Sequence, residues 1–229
     1  MNSSVESIVP FNQFIDSAQG DHQHGNRGDW LSEIKEKGRI EFYKLGWPSP
    51  KFESWRYTSL NKLAKTQFFL PQDMELAKLP YQDILPVDAP KIALVNGKFN
   101  RELSDLSTIG EGILVNNFQG MRDEQRALFS LENPTTLPKE GLPVKALNDA
   151  LLSDVLFIEI RPGWQSDVPL HIVSIGCGDH VGFSSKIFVS AGENSHLDIV
   201  ESHAGEYGST YFSSCVSNID IKAGARLGH

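Results

Sequence analysis

The 229-residue chain has few cysteines and no long apolar segment. Its two cysteines are too few for the disulfide framework of a small secreted domain, and they fit a reducing compartment. No run of about 18 apolar residues is present, so the sequence predicts no membrane-spanning helix. The first residues lack the basic start and the apolar run of a secretory signal peptide. Together these absences predict a cytoplasmic protein without a membrane partner.

Positive charge is also scarce. The 21 lysine and arginine residues are outnumbered by 29 aspartate and glutamate residues, which gives a net charge of −8. A net anion is repelled by phosphate backbones and by anionic lipid, so nucleic-acid binding is not expected as the main role. Apolar residues make up 40% of the chain, which is ordinary for a globular protein with a sizeable core.

The first third of the chain carries helical patterns. Apolar residues recur at helical spacing between residues 3 and 18 and between residues 29 and 45, and a short third helix is expected near residue 59. The sequence therefore predicts a helical region over residues 1–80. A mixed α/β connecting region over residues 81–140 follows, in which Asn96-Gly97 predicts a tight hairpin turn.

The third predicted region, residues 141–229, changes to strands separated by turns from about Val155 onward. Similar turns contain Gly163, Gly192 and Gly224, which lie about 30 residues apart. A strand repeat of this length is typical of a solenoid or of a sandwich of stacked strand pairs. The last strand has barely begun when the chain stops, so we expect a longer protein or a partner to cover an unpaired edge.

Three stretches of the sequence resemble the SufB/SufD family of iron–sulfur cluster assembly proteins. The first contains Glu53, Trp55, Arg56, Tyr57 and Thr58, and it is similar to the family's Glu-x-Trp-(Lys/Arg)-Tyr-Thr segment. The other two stretches cover residues 95–106 and residues 146–172. The resemblance extends over roughly residues 30–229, and the helical start is closer to the SufD branch of the family than to the SufB branch.

The resemblance implies an α+β fold, with a helical N-terminal region followed by a right-handed parallel β-helix that is truncated at its C-terminal end. It implies a non-catalytic scaffold subunit that works with a SufB-like paralogue and a SufC-like ABC ATPase. An iron–sulfur cluster would be held transiently by the full complex, and no cofactor is expected in this part of it. A free strand edge would also allow a homodimer.

The Glu-x-Trp segment is the most specific motif, and it has two interpretations. It is either a recognition surface or a packing device. In the second interpretation, which we favour, Trp55 and Tyr57 anchor the helical region, and Glu53 pairs with Arg56 or with a helix N-terminus.

Metal-ligating residue types occur at several places, but none of them offers a complete site. Cys177 and His180 lie on one tight turn, where a thiolate and an imidazole could bind iron or zinc with ligands from elsewhere. His22 and His24 form a pair in a Gly-flanked loop that we expect to be solvated. Cys215 is expected to point into the interior of a coil.

The alternative from another functional class is a cupin-type metal enzyme using His171, His196 or His203. Strand alternation argues against it, because His196 and His203 face opposite sides of one unbroken strand. The sequence also contains no phosphate-binding loop and no Gly-x-Ser-x-Gly nucleophile elbow. We therefore predict no catalytic residue.

Overall fold

The computed structural model of the protein describes residues 10–19, 30–72, 88–130 and 138–229. It is an α+β structure, as the family resemblance implied, in which N-terminal helices are followed by two sheets rich in parallel pairings. Contacts divide the chain into two units, residues 1–70 with 134–151 and residues 71–133 with 152–229. The division into residues 1–80, 81–140 and 141–229 was based on the sequence pattern along the chain, and it stays a prediction.

The described residues contain five α-helices. These are α1 (Pro10–Ser17), α2 (Trp30–Leu45), α3 (Asn61–Ala64), α4 (Asp123–Ser130) and α5 (Leu142–Ala150). None of them combines the length and the hydropathy that a bilayer-spanning segment needs.

Aromatic side chains form the core of the first unit. The rings of Phe11, Phe14, Phe42 and Phe68 are all buried. Phe11 makes edge-to-face contacts with Phe14, Phe68 and Trp47, at centroid distances of 5.4, 5.6 and 5.1 Å. Edge-to-face pairs bring the positive edge of one ring against the negative face of the next, which adds about 0.5–1.5 kcal/mol per pair beyond area burial.

Helices α2 and α5 approach each other closely at a glycine. A Cβ atom on Gly38 of α2 would lie 2.4 Å from the Cβ of Asp149 and 2.6 Å from the backbone nitrogen of Ala150. Only a residue without a side chain fits this contact, so Gly38 sets the distance between the two helices.

The second unit contains nine strands in the described residues. They are β1 (Lys91–Val95), β2 (Lys98–Asp105), β3 (Ile113–Asn117), β4 (Leu152–Ile160), β5 (Leu170–Gly176), β6 (Val181–Ala191), β7 (His196–Gly205), β8 (Tyr211–Ile221) and β9 (Arg226–Gly228). One sheet has the order β2-β1-β5-β7-β9, and the other has the order β3-β4-β6-β8.

In each sheet, the first two strands of the strand order pair antiparallel. β1 and β2 form the predicted hairpin at Asn96-Gly97, where φ is 48° and 78°. Positive φ at both positions is what a two-residue type I′ turn requires, and Asn and Gly tolerate it best. In the other sheet, β3 lies antiparallel to β4.

From β4 to β9 the strands alternate between the two sheets, and each of the strands β4 to β7 pairs in parallel with the strand two places further along. β4 pairs with β6, β6 with β8, β5 with β7, and β7 with β9. The turns between them also stack, since Gly163 N–H donates to the carbonyl of Glu193 (2.7 Å) and Asn194 N–H to that of Ala223 (3.0 Å). This stacking explains why glycine-containing turns recur in the sequence.

One apolar cluster fills the space between the two sheets. It includes Leu156, Ile158 and Ile160 from β4 and Ile172 from β5, all buried. The next strands continue the cluster in register, because Leu156 pairs with Ile187 and Ile158 pairs with Val189. Burial of apolar surface stabilises the folded state by roughly 25 cal/mol for each Å² removed from water. The stacked strands therefore stabilise one another through the apolar area that each pair buries.

Candidate functional site

The Glu-x-Trp motif is anchored by its tryptophan. Glu53–Trp55 form a short 3₁₀ turn, and the half-buried indole N–H of Trp55 donates to the carbonyl of Glu140 at 2.8 Å. Thr58 closes the turn, because its backbone N–H donates to the carbonyl of Trp55 at 3.1 Å. This part of the motif has the contacts that the packing interpretation requires.

The next two motif residues face solvent. Tyr57 is 88% exposed, so the prediction that its ring anchors the helical region is wrong. The Arg56 guanidinium lies over that ring, 5.5 Å from its centroid. Residues two positions apart on a tight turn point in different directions, which is why Trp55 packs inward while Tyr57 does not. Of the five motif side chains, Trp55 is therefore the one that is partly buried, and the other four are exposed.

Cys177 and His180 have different surroundings. Cys177 is buried in a small apolar cluster with Ala93, Val173 and Ile175. Burial raises the pKa of the Cys177 thiol, so the thiolate that a metal prefers is disfavoured. His180 is partly exposed, and its Nδ1 lies 3.1 Å from the carboxylate of Asp179.

The three histidines of the cupin hypothesis do not share a face. On β7, Leu197 and Ile199 belong to the core between the sheets. His196 therefore points outward, with its Nε2 3.9 Å from Asp198. His203 points inward, while His171 on β5 alternates outward from Ile172. The parallel pairing of β4 to β9 is also not that of an antiparallel jelly roll, so the fold does not fit the cupin alternative.

An inward-facing carboxylate with three polar neighbours lies near the end of the chain. Glu201 Oε1 is 3.1 Å from His203 Nε2, and Oε2 is 3.0 Å from His229 Nε2. Oε2 also accepts a hydrogen bond from Ser217 Oγ at 3.3 Å. The Glu201 side chain is 13% exposed, so these partners compensate most of the cost of burying its charge.

The imidazoles face different oxygens of Glu201, and the donors do not converge on one point. In the described ranges, no group of three or more His, Cys, Asp or Glu side chains is arranged to hold a metal ion. Cys215 packs against the core between the sheets, as predicted. Burial, with a further contribution from the negative charge of Glu201, raises the pKa of its thiol to about 11. Cys215 is thus a protonated thiol at neutral pH.

Asp154, which was not among the residues predicted to be functional, joins three segments of the second unit. Its Oδ2 accepts a hydrogen bond from the backbone N–H of Phe99 at 3.1 Å. Its Oδ1 accepts from the N–H of Phe118 at 3.2 Å and of Val155 at 2.8 Å. Burial raises the pKa of the carboxyl group despite these donors. The available signal was an aspartate directly before the apolar run from Val155 to Ile158.

The histidine pair at His22 and His24 lies outside the described residues. A shallow groove of about 490 Å³ lies around Trp164 and Gly112 in the second unit. It contains neither a cysteine nor a histidine, and its Arg161 lies 3.8 Å from the exposed Glu111.

Two comparisons with known proteins give the same answer. The family model of the SufBD protein N-terminal region matches residues 12–172, well over half of the chain. The iron-sulfur cluster assembly protein SufD of Escherichia coli (strain K12) is 24% identical over 202 residues. That alignment covers 82% of this chain and 43% of the relative, so the chain spans less than half of the relative's length. The chain belongs to the SufB/SufD protein family, and it is SufD-like.

Proposed function

We propose that the chain is part of a non-catalytic scaffold subunit that takes part in iron–sulfur cluster assembly. The observation that carries the proposal is the match of the SufBD N-terminal model to residues 12–172. The Escherichia coli relative is an iron-sulfur cluster assembly protein, which supports the same process.

The scaffold role rests on a right-handed parallel β-helix as the architecture of the second unit. Two findings support this architecture. Strands β4 to β9 pair in parallel with the strand two places along, and the turns between them stack through backbone hydrogen bonds. Stacked repeats of this kind give a rigid platform, because each repeat is held by its neighbours.

The proposed partners are a SufB-like paralogue and a SufC-like ABC ATPase. β8 and β9 are terminal strands of their sheets within the described residues. The free edge of a terminal strand offers backbone donors and acceptors to a strand from another chain, which supports pairing with a β-helical paralogue. The same edge would allow a homodimer.

The cluster itself would be a transient cargo of the full complex, with no resident cofactor in this part. Thiolates and imidazoles are the ligands that iron–sulfur chemistry prefers. Both Cys177 and Cys215 have raised thiol pKa values, which favours a structural role for them. Its two cysteines are free thiols, which fits the reducing cytoplasm that we propose as the location of the protein.

The test is an affinity purification of the tagged, complete gene product from its own cells under anaerobic conditions, with mass spectrometric identification of bound proteins. We expect an ABC-type ATPase and a β-strand-rich paralogue in stoichiometric amounts, and neither in a purification from untagged cells. Recovery of the tagged protein alone would contradict the proposed partners. Loss of iron–sulfur enzyme activity in a deletion strain, restored by the gene, would test the process separately.

A further inference from the structure

The exposed residues around the Glu-x-Trp motif form a basic and aromatic surface on an acidic chain. We define this basic–aromatic surface as the exposed basic and aromatic side chains between residues 51 and 65, namely Lys51, Phe52, Arg56, Tyr57, Lys62 and Lys65; the acidic Glu53 of the same segment is also exposed. The segment 51–65 carries four basic residues and one acidic residue, whereas the whole chain has a net charge of −8. The sign of the local charge is therefore opposite to that of the chain.

The cations of this surface are not neutralised within the described part of the chain. There, no carboxylate lies within ion-pair distance of Lys51, Lys62 or Lys65. Elsewhere in the same unit, Lys44 pairs with Glu41 at 3.7 Å, and Lys145 pairs with Asp149 at 2.9 Å. Among the described residues, the positive charges of these three lysines are therefore not used in ion pairs.

Hydrogen bonds of Trp55 and Arg56 hold the backbone that carries the surface. Trp55 is tied to Glu140 through its indole N–H, and the backbone N–H of Arg56 donates to the carbonyl of Glu53 at 3.2 Å. Arg56 also stacks on the ring of Tyr57, which restricts both side chains. A surface that is ordered before binding loses less conformational entropy on association than a mobile one.

We infer that the basic–aromatic surface binds an acidic segment of a partner protein. Tyrosine and arginine are enriched at the energetic centres of protein interfaces, and a guanidinium matches a carboxylate with two parallel hydrogen bonds. Phe52 is 47% exposed, so it adds apolar contact area beside the charges. A protein segment supplies carboxylates and apolar side chains together, which fits this mixture. The inference does not depend on the proposed function.

The test uses the 229-residue chain and a defined probe, a fluorescein-labelled synthetic decapeptide of glutamates with two leucines. Fluorescence anisotropy at low salt measures its dissociation constant. We expect the Arg56→Ala/Tyr57→Ala variant to bind about tenfold more weakly, because it removes both the guanidinium and the ring. The Lys62→Glu/Lys65→Glu variant should also bind more weakly, and 0.5 M salt should abolish its residual binding.

The matched control is Lys37→Glu, an exposed lysine of α2 in the same unit. This change has the same sign but lies outside the surface, so binding should change less than twofold. A peptide with glutamine in place of glutamate should bind at least tenfold more weakly. An equal loss with Lys37→Glu would overturn the inference, because it would show a general charge effect. Tighter binding of single-stranded oligouridine than of the peptide, or salt-sensitive self-association lost with the Arg56 variant, would also overturn it.

Discussion

The first unit, here called the helical unit, and the second unit, here called the sheet unit, are each stabilised internally by a different kind of contact. In the helical unit, a few large rings meet at Phe11, and each ring contacts several others. In the sheet unit, backbone ladders and apolar pairs repeat from strand to strand, as at Leu156–Ile187 and Ile158–Val189. The first arrangement concentrates stability in few side chains, and the second distributes it. The two units should therefore respond differently to single substitutions.

The largest effect should come from Phe11→Ala. Its ring is fully buried and touches three others, so we expect a loss of about 3–5 kcal/mol in the free energy of unfolding of the helical unit. Hydrogen exchange with mass spectrometry should detect the loss in residues 142–150 and much less in residues 170–176. The control is Phe69→Ala, at a ring that is 56% exposed, with a loss under about 0.5 kcal/mol. An equal loss of protection in both segments would remove the contrast between the units.

Asp154 is an exception in the sheet unit, because this single side chain accepts three backbone hydrogen bonds. Asp154→Ala leaves three backbone N–H groups without their acceptor, so we expect a loss of about 2–4 kcal/mol, measured by urea unfolding. The exposed Asp167 provides the control, since Asp167→Ala should change the free energy of unfolding by less than about 0.5 kcal/mol. Similar urea midpoints for the two variants would show that the three hydrogen bonds of Asp154 contribute little to the free energy of unfolding.

The same residue predicts a pH dependence with a definite sign. The folded-state pKa of Asp154 is raised, so the folded protein binds its proton more readily than the unfolded chain. Its contribution to stability is fully present below the unfolded pKa of 3.8 and decreases as pH rises through the folded pKa. The stability difference between the wild type and Asp154→Asn should therefore shift in favour of the wild type on acidification. A difference independent of pH would contradict the raised pKa.

A smaller effect is expected at the contact between α2 and α5. Gly38→Ala adds a methyl group where the backbone nitrogen of Ala150 is 2.6 Å away, and we expect a loss of about 1–3 kcal/mol as the helices move apart. Gly141→Ala is the matched control, since nothing lies within 4 Å of its added Cβ and its φ is −86°. Thermal melts followed by circular dichroism compare them, and equal melting temperatures would argue against close packing at Gly38.

The smallest effect should come from Trp55→Phe. This change keeps a half-buried ring but removes the indole N–H that donates to Glu140, which costs about 1 kcal/mol. The same urea titrations measure it. An unchanged midpoint would mean that water replaces the donor, and the motif would then be held by ring packing alone.

Features encoded by neighbouring residues could be predicted from the sequence. The Asn96-Gly97 hairpin depends on the φ values of two adjacent residues, and the turns at Gly163, Gly192 and Gly224 recur because each stacks on the next. Strand alternation was enough to place Cys215 inside and His196 outside.

Features that depend on distant segments could not be predicted. Asp154 accepts from Phe99 and Phe118, which are 55 and 36 positions away, and no local pattern marks such partners. Glu201 meets His229 only because β7 and β9 are neighbours. Tyr57 was misplaced for a related reason, since the choice between Trp55 and Tyr57 as the anchor depends on Glu140, far along the chain.

The pairing of each strand with the one two places along also determines an order of assembly. β6 needs β4, β8 needs β6, and every step closes a loop of about 30 residues, so each step has nearly the same entropic cost. A ribosome delivers these strands in the order in which they pair. We therefore expect the sheet unit to grow during synthesis by addition of one strand pair after another, with each finished pair serving as the template for the next.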